Sequence, residues 1–175
     1  MSLALIPKPT AAMLADGPRQ SPLDRVIRPG PSPHLGFGVA RPFRRDEKND
    51  FANLGGVDLV KACVAQVLLT RSSNPNNPAL QGEIDWAPER GSLLYLLKHK
   101  KNVLVEHNLA KIYVADALRR WEPRVIVRSI AVSESQTNPN VMLIRLFYDV
   151  ISTNRSSNRV LYPGVEQTVA FDRAA

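Results

Sequence analysis

One cysteine in 175 residues, Cys63, excludes an internal disulfide. It lies in the apolar run VDLVKACVAQVLL with no histidine beside it, so it reads as a small core residue rather than a nucleophile. A reducing compartment is the matching expectation. No apolar stretch approaches the roughly 20 residues needed to span a bilayer. The N-terminus, MSLALIPKPTAAMLADGPRQ, lacks the charged start and long apolar core of a signal peptide, so the chain is expected to stay in the cytosol until something assembles it. G-x-S-x-G, H-E-x-x-H, a phosphate loop and a cysteine–histidine signature are all missing. The three histidines, His34, His99 and His107, are isolated and lack metal-ligand spacing. No catalytic residue, cofactor or metal is therefore expected.

Charge is unevenly spread. The formal net charge is +7, and residues 1–45 hold seven basic side chains against Asp16 and Asp24, a local +5. A basic tail suits an acidic protein face or nucleic acid. No aromatic residue is interleaved with the basic ones before Phe37, so base stacking has little support and no nucleic-acid partner is expected.

Eight of the fourteen prolines fall in the first 42 residues, which rules out a long helix there and weakens any central strand. The expected division is an extended, Pro-rich basic arm over 1–35 and a folded domain over 36–175. GFG at 36–38 reads as a turn leading into structure. From Asp50 a helical period begins, with Val57, Val60, Val64, Val67 and Leu68 on one side. RSSNPNNP at 71–78 is a loop, and GSLLYLL at 91–97 a short helix with Ser92 as its cap. NVLVEHNLAKIYVADALRRW is the longest predicted helix. Val103, His107, Ala110, Val114, Ala117, Leu118 and Trp121 form one stripe, and Val105, Leu109 and Ile112 form another. Two apolar sides predict cover by a sheet and by a second helix or a partner.

After Arg124 the period becomes two. VIVRSIAV and VMLIRLFYDVIS, separated by SESQTNPN, predict an antiparallel hairpin with Met142, Ile144, Leu146, Tyr148 and Val150 on one face. TNRSSN at 153–158 is a turn. VLYPGVEQTVAF is strand material interrupted at Pro163-Gly164, hence an edge or bulged strand. Helices first and strands later predict an α+β fold, with helices packed on a small, mainly antiparallel sheet.

Two places could carry chemistry or contacts. Glu83 and Asp85, beside Trp86, are the nearest approach to a pair of hydrolytic carboxylates. The simpler reading is a solvated loop with one anchoring tryptophan. In RRWEPRV (119–125), Pro123 cannot extend the helix and pushes Glu122 out of helical geometry, so Trp121 is the predicted last helical residue. Arg124 offers a planar fork suited to carboxylates.

The blocks GFGVARPFRRDEKNDF, VLLTR, GSLLYLL, RWEPRV and N-x-x-S-N-R-V-L-Y-P, in that order, resemble the small baseplate wedge protein family of contractile phage tails. Type VI secretion systems and extracellular contractile injection particles carry it as well, sometimes under a lysozyme-like label. The likeness covers residues 36–165, with Glu122-Pro123-Arg124 its most specific element. The family's Pro-Gly-Glu-Arg-like turn after Leu-Leu-Thr-Arg is replaced here by SSNPNNPALQGEIDWAPER, and Gly164 stands where an aromatic usually follows Tyr-Pro.

The resemblance implies a non-enzymatic assembly protein that joins the wedge core to the first sheath ring and nucleates sheath assembly on a sheath-like strand-exchange platform. It implies Glu122, Pro123 and Arg124 as the contact with other wedge proteins. Strand order adds Val160, Leu161, Tyr162, Val165 and Val169 as the candidate sheath-facing edge. Inner tube or hub proteins are further implied partners, with six copies around the tail axis and no membrane contact. The alternatives are a peptidoglycan hydrolase and a regulatory adaptor sharing the fold.

Overall fold

The computed structural model describes residues 35–40, 43, 45–77, 79–100, 103–152 and 159–173. The expected arm falls almost wholly outside them, as does the 153–158 turn. The structure described below belongs to the compact unit Pro31–Ala175.

The two long periodic segments form as their spacing predicts. Helix α1 spans Gly56–Leu69 and buries Val60, Val64, Val67 and Leu68. Helix α2 spans Leu104–Trp121 and buries Ala110, Val114, Ala117 and Leu118. Three-four spacing puts each set on one face, and both faces meet the same core. The hairpin is also as expected: β3 (Val125–Glu134) pairs antiparallel with β4 (Val141–Ile151). Strand β5 (Val160–Asp172) pairs antiparallel with the other side of β4, giving the order β3-β4-β5. Met142, Ile144, Leu146, Tyr148 and Val150 are all buried beneath the helices.

The start of α1 differs from its sequence reading. Residues Asn53–Gly55 form a short strand, β2, which pairs antiparallel with β1 (Phe37–Val39). The helix therefore begins at Gly56 rather than near Asp50, and the GFG segment is a strand entered through a turn at Gly36 (φ 79°). Strands of three residues are too short to show a period.

GSLLYLL supplies a 3₁₀ turn over Leu94–Leu97. Ser92 works near its start, but in two directions. Its hydroxyl donates to the Leu68 carbonyl (2.6 Å) and accepts from the Leu94 amide (3.3 Å), pinning the segment to the end of α1. Gly91 (φ 127°) passes so close to Thr70 that a Cβ would lie 2.4 Å from its carbonyl oxygen. The loop between these points holds Trp86 at 79 % exposure, so this tryptophan does not anchor it.

Two of the three register irregularities among the described strands of this sheet lie opposite one another; the third is at Leu161, between Val150–Tyr162 and Ile151–Val160. Arg128 is the extra residue on β3, between the pairs Val127–Tyr148 and Ser129–Phe147. On β5, Pro163 and Gly164 together oppose Asp149, between Tyr148–Val165 and Val150–Tyr162. Gly164 takes φ 64°, a conformation that glycine adopts without strain. Asp149 joins the bulges: one carboxylate oxygen accepts from Arg128 Nε (2.8 Å) and Nη2 (2.6 Å), the other from the Gly164 amide (2.8 Å).

Candidate functional site

Two features stand out: the buried ion pair at the corner after α2 and the open outer edge of β5.

The corner is built by proline. The Glu122 amide still donates to the Leu118 carbonyl (2.9 Å), closing the last turn of α2. Glu122 then leaves helical geometry (φ −129°, ψ 74°), as proline pushes the residue before it to do. The Val125 amide returns to the Glu122 carbonyl (3.1 Å), so Glu122–Val125 is a tight turn with Pro123 at its tip, exposed. The turn brings the Glu122 and Arg124 side chains together. Arg124 Nε donates to Glu122 Oε1 (2.6 Å) and Nη2 to Oε2 (2.9 Å), a two-point fork. Nη1 donates to the Leu35 carbonyl (2.7 Å), tying the corner to the chain 89 residues earlier.

Burial makes this pair consequential. The Glu122 side chain is 4 % exposed and that of Arg124 20 %. The bonded Glu122 carboxylate pushes the Arg124 pKa further upward, against the opposing effect of burial. Below the pair, the Tyr148 hydroxyl donates to Gln167 (2.8 Å), and Gln167 donates to the Lys61 carbonyl of α1 (2.9 Å). Burial first, and then the nearby Glu122 charge, raise the Tyr148 pKa. Tyr148 and Gln167 thus tie strands β4 and β5 to helix α1, close enough to the corner for the Glu122 charge to be felt.

Arg124 also forms part of the wall of a groove of about 490 Å³ between the β1–β2 hairpin and α1. Phe37, Val39 and Phe43 on its rim are 43 %, 43 % and 67 % exposed. Cys63 lies here, half-buried beside Arg124, rather than in the core where the sequence placed it. No local pattern in the sequence marks this groove, because its walls come from segments far apart in the chain.

At the other feature, β5 has only β4 beside it among the described strands. The Arg173 amide donates to the Asn140 carbonyl (3.0 Å). Stepping back by two along the register gives Phe171–Met142, Val169–Ile144, Gln167–Leu146 and Val165–Tyr148 as the pairs that bond β4. Glu166, Thr168 and Ala170 therefore turn their backbone N–H and C=O groups the other way. Of the residues assigned to this edge from sequence, Val160 is 40 % exposed, Leu161, Tyr162 and Val165 are half-buried against the core, and Val169 is buried. The open backbone groups belong to their neighbours, an alternation that becomes visible only once the register is known.

Glu83 and Asp85 both lie exposed on their loop. The Glu83 carboxylate accepts from the Arg71 amide (3.2 Å), a structural bond. Among the described residues no group of three histidine, cysteine or carboxylate side chains is placed to hold a metal, and no helix is long and apolar enough to cross a membrane.

No curated protein matches the sequence. Among solved structures, a Geobacter sulfurreducens protein described as a tail lysozyme is 20 % identical, with a TM-score of 0.53 over 70 % of this chain and 96 % of its own. A chain of the anti-feeding prophage baseplate is 13 % identical, with a TM-score of 0.56 over 70 % of this chain and 90 % of its own. At these identities the likeness establishes the α+β fold alone. The sequence itself goes further: residues 55–155, more than half the chain, match the family described as baseplate wedge protein gp25, and the chain belongs to that family.

Proposed function

We propose that this protein is a non-enzymatic structural part of a contractile injection baseplate, linking the wedge to the first ring of sheath and starting sheath assembly. The observation that carries this reading is the outer edge of β5. Strand β5 runs for 13 residues and is paired on one side only among the described strands; such an open edge is a hazard in a free protein but a template in an assembly. An arriving sheath strand would bond to Glu166, Thr168 and Ala170.

The corner at Glu122-Pro123-Arg124 is the proposed contact with other wedge proteins. Because Glu122 is buried and already paired, the pair acts by holding Pro123 and the groove rim in place. Phe37, Val39 and Phe43 then supply the contact area. Six copies around the tail axis, with tube or hub proteins close by, follow from the same reading. So does an extended basic arm over 1–35 that orders against a neighbour.

The description of one similar structure as a lysozyme favours a wall-hydrolase reading. Its natural candidates, Glu83 and Asp85, share one exposed setting, whereas hydrolysis needs two carboxylates in contrasting environments. An adaptor role would leave the β5 edge unused.

Electron microscopy of particles from cells producing Thr168→Pro separates these readings. Proline at this position removes an outward donor and no β4 bond. Baseplates without sheath are the expected result. Normal sheathed particles would overturn the edge assignment, and normal particles from cells lacking the whole chain would overturn the baseplate role.

A further inference from the structure

We infer that the solvent side of the first three turns of α2, with Lys98 and Lys100 before it, is a docking surface for an acidic amphipathic helix of another protein. Leu104, Val105 and Ile112 are 73 %, 72 % and 62 % exposed, and Val103 45 %. Seven residues complete nearly two turns, so Val105 and Ile112 stand one above the other. Single exposed aliphatic residues are ordinary, but Val105 and Ile112 share the side of α2 opposite Ala110 and Val114, and Leu104 adjoins them in the first turn. The core-facing side of α2 is filled by Ala110, Val114, Ala117 and Leu118, so the patch lies outside the core of the described residues.

Its surroundings carry positive charge. Between residues 98 and 112 the sequence has Lys98, Lys100, Lys101 and Lys111 against Glu106 alone. Lys100 is exposed, and Lys98 and Lys111 are half-buried. Helix α2 starts after Val103 without a side-chain cap, so the first-turn amides add the positive end of the helix dipole to the same region.

Charge decides the occupant. A second copy would set this basic rim against itself. The N-terminal segment of the chain is also basic, at +5 over residues 1–45. A helix with apolar residues at three-four spacing would pack along Val105 and Ile112, and acidic residues on its flanks would meet the lysines. Ile112 is ten residues before Glu122, about 15 Å along the helix, so this surface is separate from the corner contact. The inference depends on neither the sheath edge nor the corner assignment.

The test places a photo-crosslinking phenylalanine analogue at Ile112 in cells that naturally make the protein, and identifies the captured peptide by mass spectrometry. The expected capture is a segment of another protein with net negative charge and helical apolar spacing. Its yield should fall at least fivefold in Lys100→Glu/Lys111→Glu, whose melting temperature, measured on the isolated protein, should stay near that of the parent. Capture of a second copy, of residues 1–34, of lipid or of a neutral or basic segment would overturn the inference. So would no capture, or a yield indifferent to charge reversal in a folded variant.

Discussion

At the scale of single residues, the buried fork between Glu122 and Arg124 makes a sharp distinction between losing one partner and losing both. Arg124→Ala leaves a carboxylate inside the protein without its cation, and is expected to cost about 3 kcal/mol in chemical denaturation. Glu122→Met/Arg124→Met removes both charges, and should recover to within about 2 kcal/mol of the parent despite losing the bond to Leu35. If the double variant is no more stable than Arg124→Ala, the pair is not held together as its geometry indicates. Sheath loss in Arg124→Ala alone would mix folding with docking, so Phe43→Ser, on the exposed rim, is the cleaner probe of the wedge contact. Asp149 gives a dependence on pH. The Gly164 amide, and then Arg128, hold its carboxyl below the usual carboxylate range. Its stabilising effect is therefore fully present above the pH at which an unfolded aspartate ionises, about 4, and is lost as pH falls through the lower folded value. Acid titration of stability should show a drop below pH 4 that is shallower in Asp149→Asn; identical curves would mean that the bulges stand without this charge.

At the scale of elements, the direction of backbone groups on β5 sets a pattern that hydrogen exchange can read. Amides of Val165, Gln167, Val169 and Phe171 bond β4 and should exchange slowly in the isolated protein, while those of Glu166, Thr168 and Ala170 should exchange fast. Protection of the second set on addition of sheath subunits is the expected mark of strand addition. Uniform protection beforehand would mean that the edge is already covered. Much of this architecture was legible in the sequence. Helix α2 and strands β3 and β4 announce themselves by period over ten or more residues, and Pro163-Gly164 marks the β5 bulge. The β1–β2 hairpin was not legible, because three-residue strands carry no period. Trp86 was misread because large aromatic residues usually bury themselves, and nothing local shows that its loop turns outward. The Glu122–Arg124 fork was visible as a helix stop, but its bond to Leu35 depends on a contact that no local pattern records.

At the scale of the whole molecule, Leu35 is the first core residue among those described. It is 1 % exposed, it joins the helices and sheet in one cluster, and its carbonyl holds Arg124. The Pro-rich composition before it supports a segment that serves a neighbour rather than the fold. A chain starting at Pro31 should then melt within a few degrees of the full protein, because Leu35, β1 and the corner remain intact. A chain starting at Ala40 loses a buried leucine, the partner strand of β2 and an acceptor for Arg124. The leucine alone is worth about 2–5 kcal/mol, against a total of about 5–15 kcal/mol for a domain, so this shorter chain should be largely destabilised. Equal stability of the two truncations would detach the corner from the fold. A large loss in the longer one would place part of the core within residues 1–30. If stability holds as expected, comparing particles made with the Pro31 chain isolates what the arm does: sheathless or incomplete baseplates would assign it to assembly, with the folded domain unchanged.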